Sequence, residues 1–238
     1  LLIVLIVSIT HFLGSFAAYG SSLLAMPFFM ALTGDLHFSV GVLLSLGLVQ
    51  ALVILRKNHS SIDWRKMLLI CGGMILGAPI GILLMDHLPR REILILLGIL
   101  LVSSGVMGLF RKSVDHNRWP PWLNLLVLMG AGAVHAAFAS GGSFLILYAR
   151  NALQDKESFR ATLAMVWVVI DILLLVQLGL SGHLELRVLP AVACGAVAVV
   201  TVGLAVEILV ARFSQRAFML LISYLLILSG TVTLLRSV

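Results

Sequence analysis

The sequence predicts an all-α polytopic membrane protein made of two repeats in inverted orientation, each a broken re-entrant hairpin followed by three transmembrane helices. The first observation is composition. Of the 238 residues, 61% are apolar and only 11% are charged, a balance typical of membrane proteins and not of water-soluble ones. The second observation is a series of long apolar runs, and the third is the recurrence of one broken run in each half of the chain.

Eight apolar runs approach or exceed the length of a membrane crossing, which is about 20 residues. The first and fifth runs stand apart, because about 30 residues at 1.5 Å each would reach roughly 45 Å across a hydrocarbon core of about 30 Å. Both also contain glycine and serine near the middle. The runs cover residues 1–32, 36–55, 66–85, 92–110, 121–149, 161–181, 188–210 and 216–235.

The two halves of the chain align with each other at an offset of 121 residues. Internal similarity of this kind is typical of transporters built from structural repeats. We therefore predict a first repeat over residues 1–114, a linker over 115–120 and a second repeat over 121–238. The alignment pairs Gly20 with Gly141, Ser22 with Ser143, Leu24 with Leu145, Phe38 with Phe159, and Asp86 with Glu207.

Two topologies fit the eight runs. If the long runs cross the membrane, the repeats are parallel; if they are re-entrant hairpins, three crossings remain in each repeat and the repeats are inverted. The hairpin topology leaves only Arg90, Arg91, Arg187 and Arg236 of the 16 basic residues on the minority side, which fits the positive-inside rule better. It places the loop between the second and third runs in the cytoplasm.

The breaks in the long runs predict a ligand site inside the protein. Backbone N–H groups without helical partners are costly against lipid, so each break faces protein or a water-filled cavity. Freed amides, serine hydroxyls and the N-terminus of the following half-helix together favour an anion. The alternative is that these small residues only allow close helix packing. The candidate substrate-binding residues of the two breaks are Gly20, Ser21, Ser22, Gly141, Gly142 and Ser143.

Three ionisable residues within the apolar runs are further candidates. Asp171 lies near the middle of a span, where a carboxylate is expensive unless it is paired, protonated or wet. It is a candidate for proton coupling, although its repeat mate is the uncharged Gln50, which favours a structural role almost equally. His11 and His135 lie in the first arms of the broken runs and could bind an anion or relay a proton. Each could equally be a neutral histidine hydrogen-bonded within the bundle.

Other classes of function lack support in the sequence. The basic residues are scattered between apolar runs, so no nucleic-acid partner is predicted. No phosphate-binding loop, dinucleotide fingerprint or nucleophile elbow occurs, so an enzyme is not predicted. Cys71 and Cys194 lack metal-ligand spacing, and we expect neither a metal nor a cofactor. Membrane lipid is the expected surrounding, and assembly into a homo-oligomer is left open.

Several motifs resemble those of the TauE/SafE family of sulfite exporters. The stretch "GSSLLAMP" from Gly20 to Pro27 is similar to the family's first glycine motif. The stretch "ASGGSFLILY" is similar to the second motif, and "FRATLA" from Phe159 to Ala164 to a run that follows it. The sequence departs from the family's motifs in two ways. Ser21 and Ser22 replace glycines, and Ser143 stands where the family usually has proline. The similarity covers nearly the whole chain.

The resemblance implies a bacterial inner-membrane exporter of a sulfur-containing anion such as sulfite or an organosulfonate, working by alternating access without ATP. It also implies that Arg160, within "FRATLA", is a substrate-binding or gating residue. Protons are a candidate coupling ion. The alternative function is a non-transporting membrane assembly or cofactor-insertion factor, which would carry no flux.

Overall fold

The computed structural model describes residues 2–17, 20–109, 120–153, 155–209 and 215–237. These residues form ten α-helices and one short 3₁₀ turn, His59–Ser61, and no strand occurs among them. Residues 115–119 of the predicted linker lie outside the described residues. The helices are α1 Leu2–Ala17, α2 Ser21–Thr33, α3 Leu36–Asn58, α4 Trp64–His87, α5 Arg90–Leu109, α6 Pro121–Phe138, α7 Gly142–Ala152, α8 Lys156–Leu180, α9 Val188–Leu209 and α10 Gln215–Ser237.

Six helices within the described ranges are long and apolar enough to cross a membrane: α3, α4, α5, α6, α8 and α9. Their outer faces carry large apolar side chains; on α4, for example, Leu68, Leu76 and Leu83 are 66%, 60% and 59% exposed. A stripe of exposed leucines along one helix suits lipid and is rare on proteins that face water. The prediction of an all-α polytopic membrane protein is therefore confirmed.

Both long apolar runs are broken at equivalent places. α1 ends at Ala17 and α2 begins at Ser21, while α6 ends at Phe138 and α7 begins at Gly142. The 13 residues of α2 and the 11 of α7 are too short to cross a hydrocarbon core of about 30 Å. The two arms of each broken run pack against one another. The re-entrant path of both runs through the membrane stays a prediction.

Helices of the two halves pack against each other throughout the structure. If α1–α5 are matched in order with α6–α10, each of the six most extensive inter-half contacts either maps onto itself or has a counterpart. The predicted repeats and their inverted orientation stay predictions, and this pattern is compatible with them. The contacts in question are α3 with α8, α5 with α10, α4 with α6, α1 with α9, α3 with α9, and α4 with α8.

The contact between α4 and α6 is a direct approach of two backbones. A Cβ atom on Gly77 would lie 1.9 Å from the carbonyl oxygen of Met129, and one on Gly132 would lie 2.0 Å from that of Met74. Neither position can hold a larger residue unless the helices separate. Small residues at helix spacing, here Gly73, Gly77 and Gly81 of α4, are typical of membrane helices in close contact.

Replacing Gly77 by alanine should therefore destabilise the protein. The new methyl group would overlap the α6 backbone, and forced separation of packed elements costs about 1–3 kcal/mol. The matched control is Gly72→Ala on the same helix, where a Cβ atom meets nothing within 4 Å. Thermal unfolding of detergent-solubilised protein measures both. A midpoint for Gly77→Ala equal to that of Gly72→Ala would contradict the close α4–α6 contact.

Candidate functional site

A cavity of about 40 Å³ lies between the two breaks, a volume that suits a few water molecules. Two of its walls are the breaks themselves, and the other two are the facing middles of α3 and α8. The lining residues are Gly20, Ser21, Ser22, Leu23, Gly47, Gln50, Ala51, Ile54, His135, Ala139, Ser140, Gly142, Trp167 and Asp171.

The first break turns at Gly20, whose φ of 89° lies in the left-handed region that glycine tolerates best. The amide of Leu24 is the first to bond back into α2, to the carbonyl oxygen of Gly20. The preceding amides, those of Ser21, Ser22 and Leu23, therefore have no partner within the helix. All three residues line the cavity, so the positive end of the α2 dipole lies beside it.

A chain of buried hydrogen bonds fixes this break to α3. The hydroxyl of Ser21 donates to Gln50 Oε1 at 2.8 Å, and Gln50 Nε2 donates to the hydroxyl oxygen of Ser15 at 2.6 Å. The three side chains belong to α2, α3 and α1. Gln50 accepts from one arm of the first broken run and donates to the other. It therefore holds both arms, α1 and α2, against α3.

The second break turns at a different kind of residue. Ala139, with a φ of 51°, takes the left-handed conformation and ends α6, and its amide bonds to the carbonyl oxygen of His135 at 2.7 Å. Gly141, one of the candidate residues of this break, has an ordinary φ of −65° and does not make the turn. Gly141 is needed for space, because a Cβ atom there would lie 2.3 Å from the carbonyl oxygen of Ala131.

His135 and Asp171 form a buried pair at the cavity wall. His135 Nε2 lies 2.7 Å from Asp171 Oδ1, and the amide of Gly141 donates to His135 Nδ1 at 3.3 Å. A backbone amide can only donate, so Nδ1 carries no proton and the ring is a neutral imidazole that donates from Nε2. The Trp167 ring packs on the imidazole at 4.8 Å between centroids, which limits its rotation.

The carboxylate of Asp171 needs the space that Gly47 leaves on α3. A Cβ atom at Gly47 would lie 2.9 Å from Asp171 Oδ2. The bond of Oδ1 to His135 and the contact of Oδ2 with Gly47 together hold the carboxylate between α6 and α3. His135 and Asp171 are the titratable residues that line the cavity, and two ligands alone make a poor metal site.

The structure brings six of the predicted site residues to this cavity and leaves four outside its lining. Gly141 lies just behind His135. Ser143 is buried and directs its hydroxyl toward the Ser140 carbonyl oxygen at 3.5 Å. His11 is fully buried and bonds through Nδ1 to the Val7 carbonyl oxygen at 3.1 Å. Arg160 precedes Asp171 by eleven residues on α8, about 16 Å along its axis. The roles assigned to all ten residues stay predictions.

Eight lining residues are not among the predicted site residues, and four of them bear on the chemistry or the space of the site: Gly47, Gln50, Ser140 and Trp167. Gln50 could have been found, because it is the repeat mate of Asp171. Ser140 lies in the quoted motif beside the glycines, and Trp167 lies one helical turn before Asp171. Nothing in the sequence marks Gly47 as a site residue except that it lies one helical turn before Gln50.

Comparison with known proteins agrees with this architecture. The sequence profile of the family described as "Sulfite exporter TauE/SafE" matches residues 2–233. The chain is also similar to "Probable inner membrane transporter protein TsaS" of Comamonas testosteroni, with 28% identity over 128 residues. That alignment covers 54% of each chain, so the chain spans about half the length of this curated relative. No solved structure matches the chain.

The family match extends over both broken runs and all six helices that are long enough to cross a membrane. It confirms the predicted family and agrees with the multi-pass membrane architecture. The chain belongs to the sulfite exporter TauE/SafE family.

Proposed function

We propose that this protein is a secondary transporter that exports a sulfur-containing anion, such as sulfite or an organosulfonate, by alternating access. The family match and the curated relative support a transporter. The observation that carries the proposal is the cavity between the two breaks, because it is lined by residues of both broken runs. Its volume of about 40 Å³ favours a small anion over a bulky one.

Donors from both breaks would hold the anion. On one side are the first-turn amides of α2 with the hydroxyl of Ser22, and on the other is the start of α7 at Gly142. Each helix N-terminus offers N–H groups and a partial positive charge to the same small volume. Broken helices that direct their N-termini toward an anionic substrate are a recurring arrangement in transporters with repeats.

The charge of the His135–Asp171 pair would decide when an anion can enter. With a neutral imidazole and an ionised carboxylate the pair carries one negative charge, which repels an anion in a low-dielectric site. Uptake of one proton by the pair removes that charge. If the proton is taken by His135 Nδ1, this atom can no longer accept from the Gly141 amide, and a further backbone donor becomes available to the anion.

Anion binding and proton uptake would therefore favour each other. This linkage is reciprocal, because a proton that improves anion binding must itself bind more tightly when the anion is present. The Trp167 ring adds to the effect, since an aromatic face stabilises a neighbouring cation. Asp171, one of the predicted proton-coupling residues, would then act together with His135 and not alone.

The first test is flux into proteoliposomes of sulfite, sulfate, thiosulfate and a small sulfonate, with and without an imposed pH gradient. We expect saturable flux of one sulfur anion, and faster flux when the gradient drives protons in the same direction. Absence of flux above empty liposomes for all four anions, from protein shown to be folded, would contradict the sulfur-anion proposal and favour another anion or an assembly factor.

A second test reduces the volume of the cavity. Ser22 lines it and is partly buried, so Ser22→Leu should lower anion affinity at least about tenfold through lost space and a lost hydroxyl donor. Ser103→Leu makes the same change at an exposed position of α5 and should bind like the wild type. Anion titration in detergent compares them. Equal affinities in the two variants would exclude this cavity as the binding site.

A third test addresses the proton. Asp171→Asn keeps the shape of the side chain but removes its charge, so the acceleration of flux by a pH gradient should disappear while some flux remains. Glu92→Gln removes an exposed carboxylate on α5 and serves as the control. An Asp171→Asn protein whose flux still responds to the gradient as the wild type does would return Asp171 to a purely structural role.

A further inference from the structure

A second group of ligating side chains lies at the end of the bundle, away from the cavity. It consists of His37 in the first turn of α3, Asp86 in the last turn of α4, and His183 in the loop between α8 and α9. We call these three residues the histidine cluster. One nitrogen from each histidine and one carboxylate oxygen all lie within 4.8 Å of one another, and the side chains are partly exposed.

The local fold determines where His183 lies. Gly182, with a φ of 75°, reverses the chain after α8, and the amide of His183 bonds to the Leu178 carbonyl oxygen at 3.0 Å. The loop then rests on α3, since a Cβ atom at Gly41 would lie 3.2 Å from a methyl carbon of Leu184.

An ion pair secures the far end of the same loop. The guanidinium of Arg187 pairs with Asp35, the N-cap residue of α3, and lies 5.3 Å from the centre of the Phe38 ring. Desolvation raises the pKa of Asp35, but hydrogen bonds from the Phe38 amide and from Arg187 outweigh it and hold the pKa below its usual value. His183 is therefore positioned from both sides.

Hydrogen bonding accounts for only part of the histidine cluster. His37 Nε2 lies 3.0 Å from Asp86 Oδ1, a normal bond. His183 Nδ1 lies 4.0 Å from the same oxygen, too far for a hydrogen bond, and this buried atom has no hydrogen-bond partner within the described ranges. The two imidazole rings stack with 4.0 Å between centroids. A buried ring nitrogen without a partner calls for a ligand or an ion.

We propose that the histidine cluster binds a divalent transition-metal ion of the Zn²⁺ type through His37 Nε2, His183 Nδ1 and Asp86 Oδ1. Imidazole and carboxylate are ordinary Zn²⁺ ligands at about 2.0–2.2 Å. Two ligands on a tetrahedral ion at that distance lie about 3.4 Å apart, between the 3.0 Å and 4.0 Å separations of the two nitrogens from Asp86 Oδ1. All three ligand atoms lie within 4.8 Å of one another, so rotation of the stacked imidazole rings would bring them onto one ion, and the exposed side leaves room for water as a fourth ligand.

The bound ion would join two parts of the protein. Asp86 lies in the last turn of α4, whereas His183 belongs to the loop that leads into α9. An ion at this position restrains the end of α4 relative to the start of α9. If the proposed alternating access is correct, that restraint should slow the opening of this face. This consequence rests on the proposed function, but the metal site itself does not.

The test is a titration of the purified full chain with Zn²⁺ alone, after removal of any histidine tag, by isothermal calorimetry. We expect one ion per chain, and at least about tenfold weaker binding for His37→Ala, His183→Ala and Asp86→Asn, since loss of even an outer-sphere partner costs that much. His87→Ala is the matched control; His87 follows Asp86 but bonds to the Leu83 carbonyl oxygen and should be dispensable.

Two results would overturn the site: no Zn²⁺ binding by the wild type, or equal affinity in His183→Ala and the wild type. The variants change partly exposed residues, and size-exclusion profiles identical to that of His87→Ala would establish that they fold. Anion flux with added Zn²⁺ tests the restraint separately. Slower flux in the wild type but not in His183→Ala supports it, and unchanged flux with Zn²⁺ bound refutes it without affecting the binding result.

Discussion

Unpaired backbone amides inside a membrane are the constraint on which this structure depends. An N–H group without a partner in hydrocarbon costs several kcal/mol, so a helix that breaks at membrane depth must direct the break toward protein or water. This chain breaks two helices and places both breaks at one cavity, with α3 and α8 closing its sides. The central positions of α3 and α8, and the polar residues that they carry, follow from that requirement.

The polar residues opposite the two breaks differ in charge and in how they bind the broken segments. Gln50 on α3 is neutral and carries both a donor and an acceptor, which bind Ser15 and Ser21. Asp171 on α8 brings a charge whose burial at the centre of a membrane helix costs about 2.5–3.5 kcal/mol. A hydrogen bond to a charged group contributes about 1.5–3 kcal/mol, so its bond to His135 nearly offsets that cost. The second break is therefore held by an acidic side chain and its histidine partner, whereas the first is held by neutral groups alone.

Much of the fold can be predicted from the sequence, because the length and composition of the apolar runs determine which segments can cross a lipid bilayer. The two overlong runs correctly indicated breaks, and Gly20 correctly indicated the first turn. The second break lies beside its predicted glycines, between Phe138 and Gly142. Its left-handed residue is Ala139, although propensity assigns that conformation to glycine, while Gly141 is required by the nearby α6 backbone. Steric demands of a neighbouring element cannot be read from local sequence.

Contacts between distant residues were the main feature that the sequence could not supply. His135 and Asp171 were each singled out, but no spacing rule connects residues on α6 and α8, so their pairing emerged only from the packing. The same holds for His37, Asp86 and His183, which three separate elements bring together. Conversely, the "FRATLA" motif predicts a site role for Arg160, but the structure leaves Arg160 outside the cavity lining.

The close approach of α4 to α6 also determines which parts of the molecule can move as units. Backbone contacts at Gly77 and Gly132 hold a helix of the first half against the helix that carries His135, and α1 also packs on α9. Sliding or tilting the sequence halves apart would separate these packed pairs. In the proposed alternating access, each moving body must therefore combine helices from both halves, and the boundary between the bodies does not coincide with the boundary between the sequence halves.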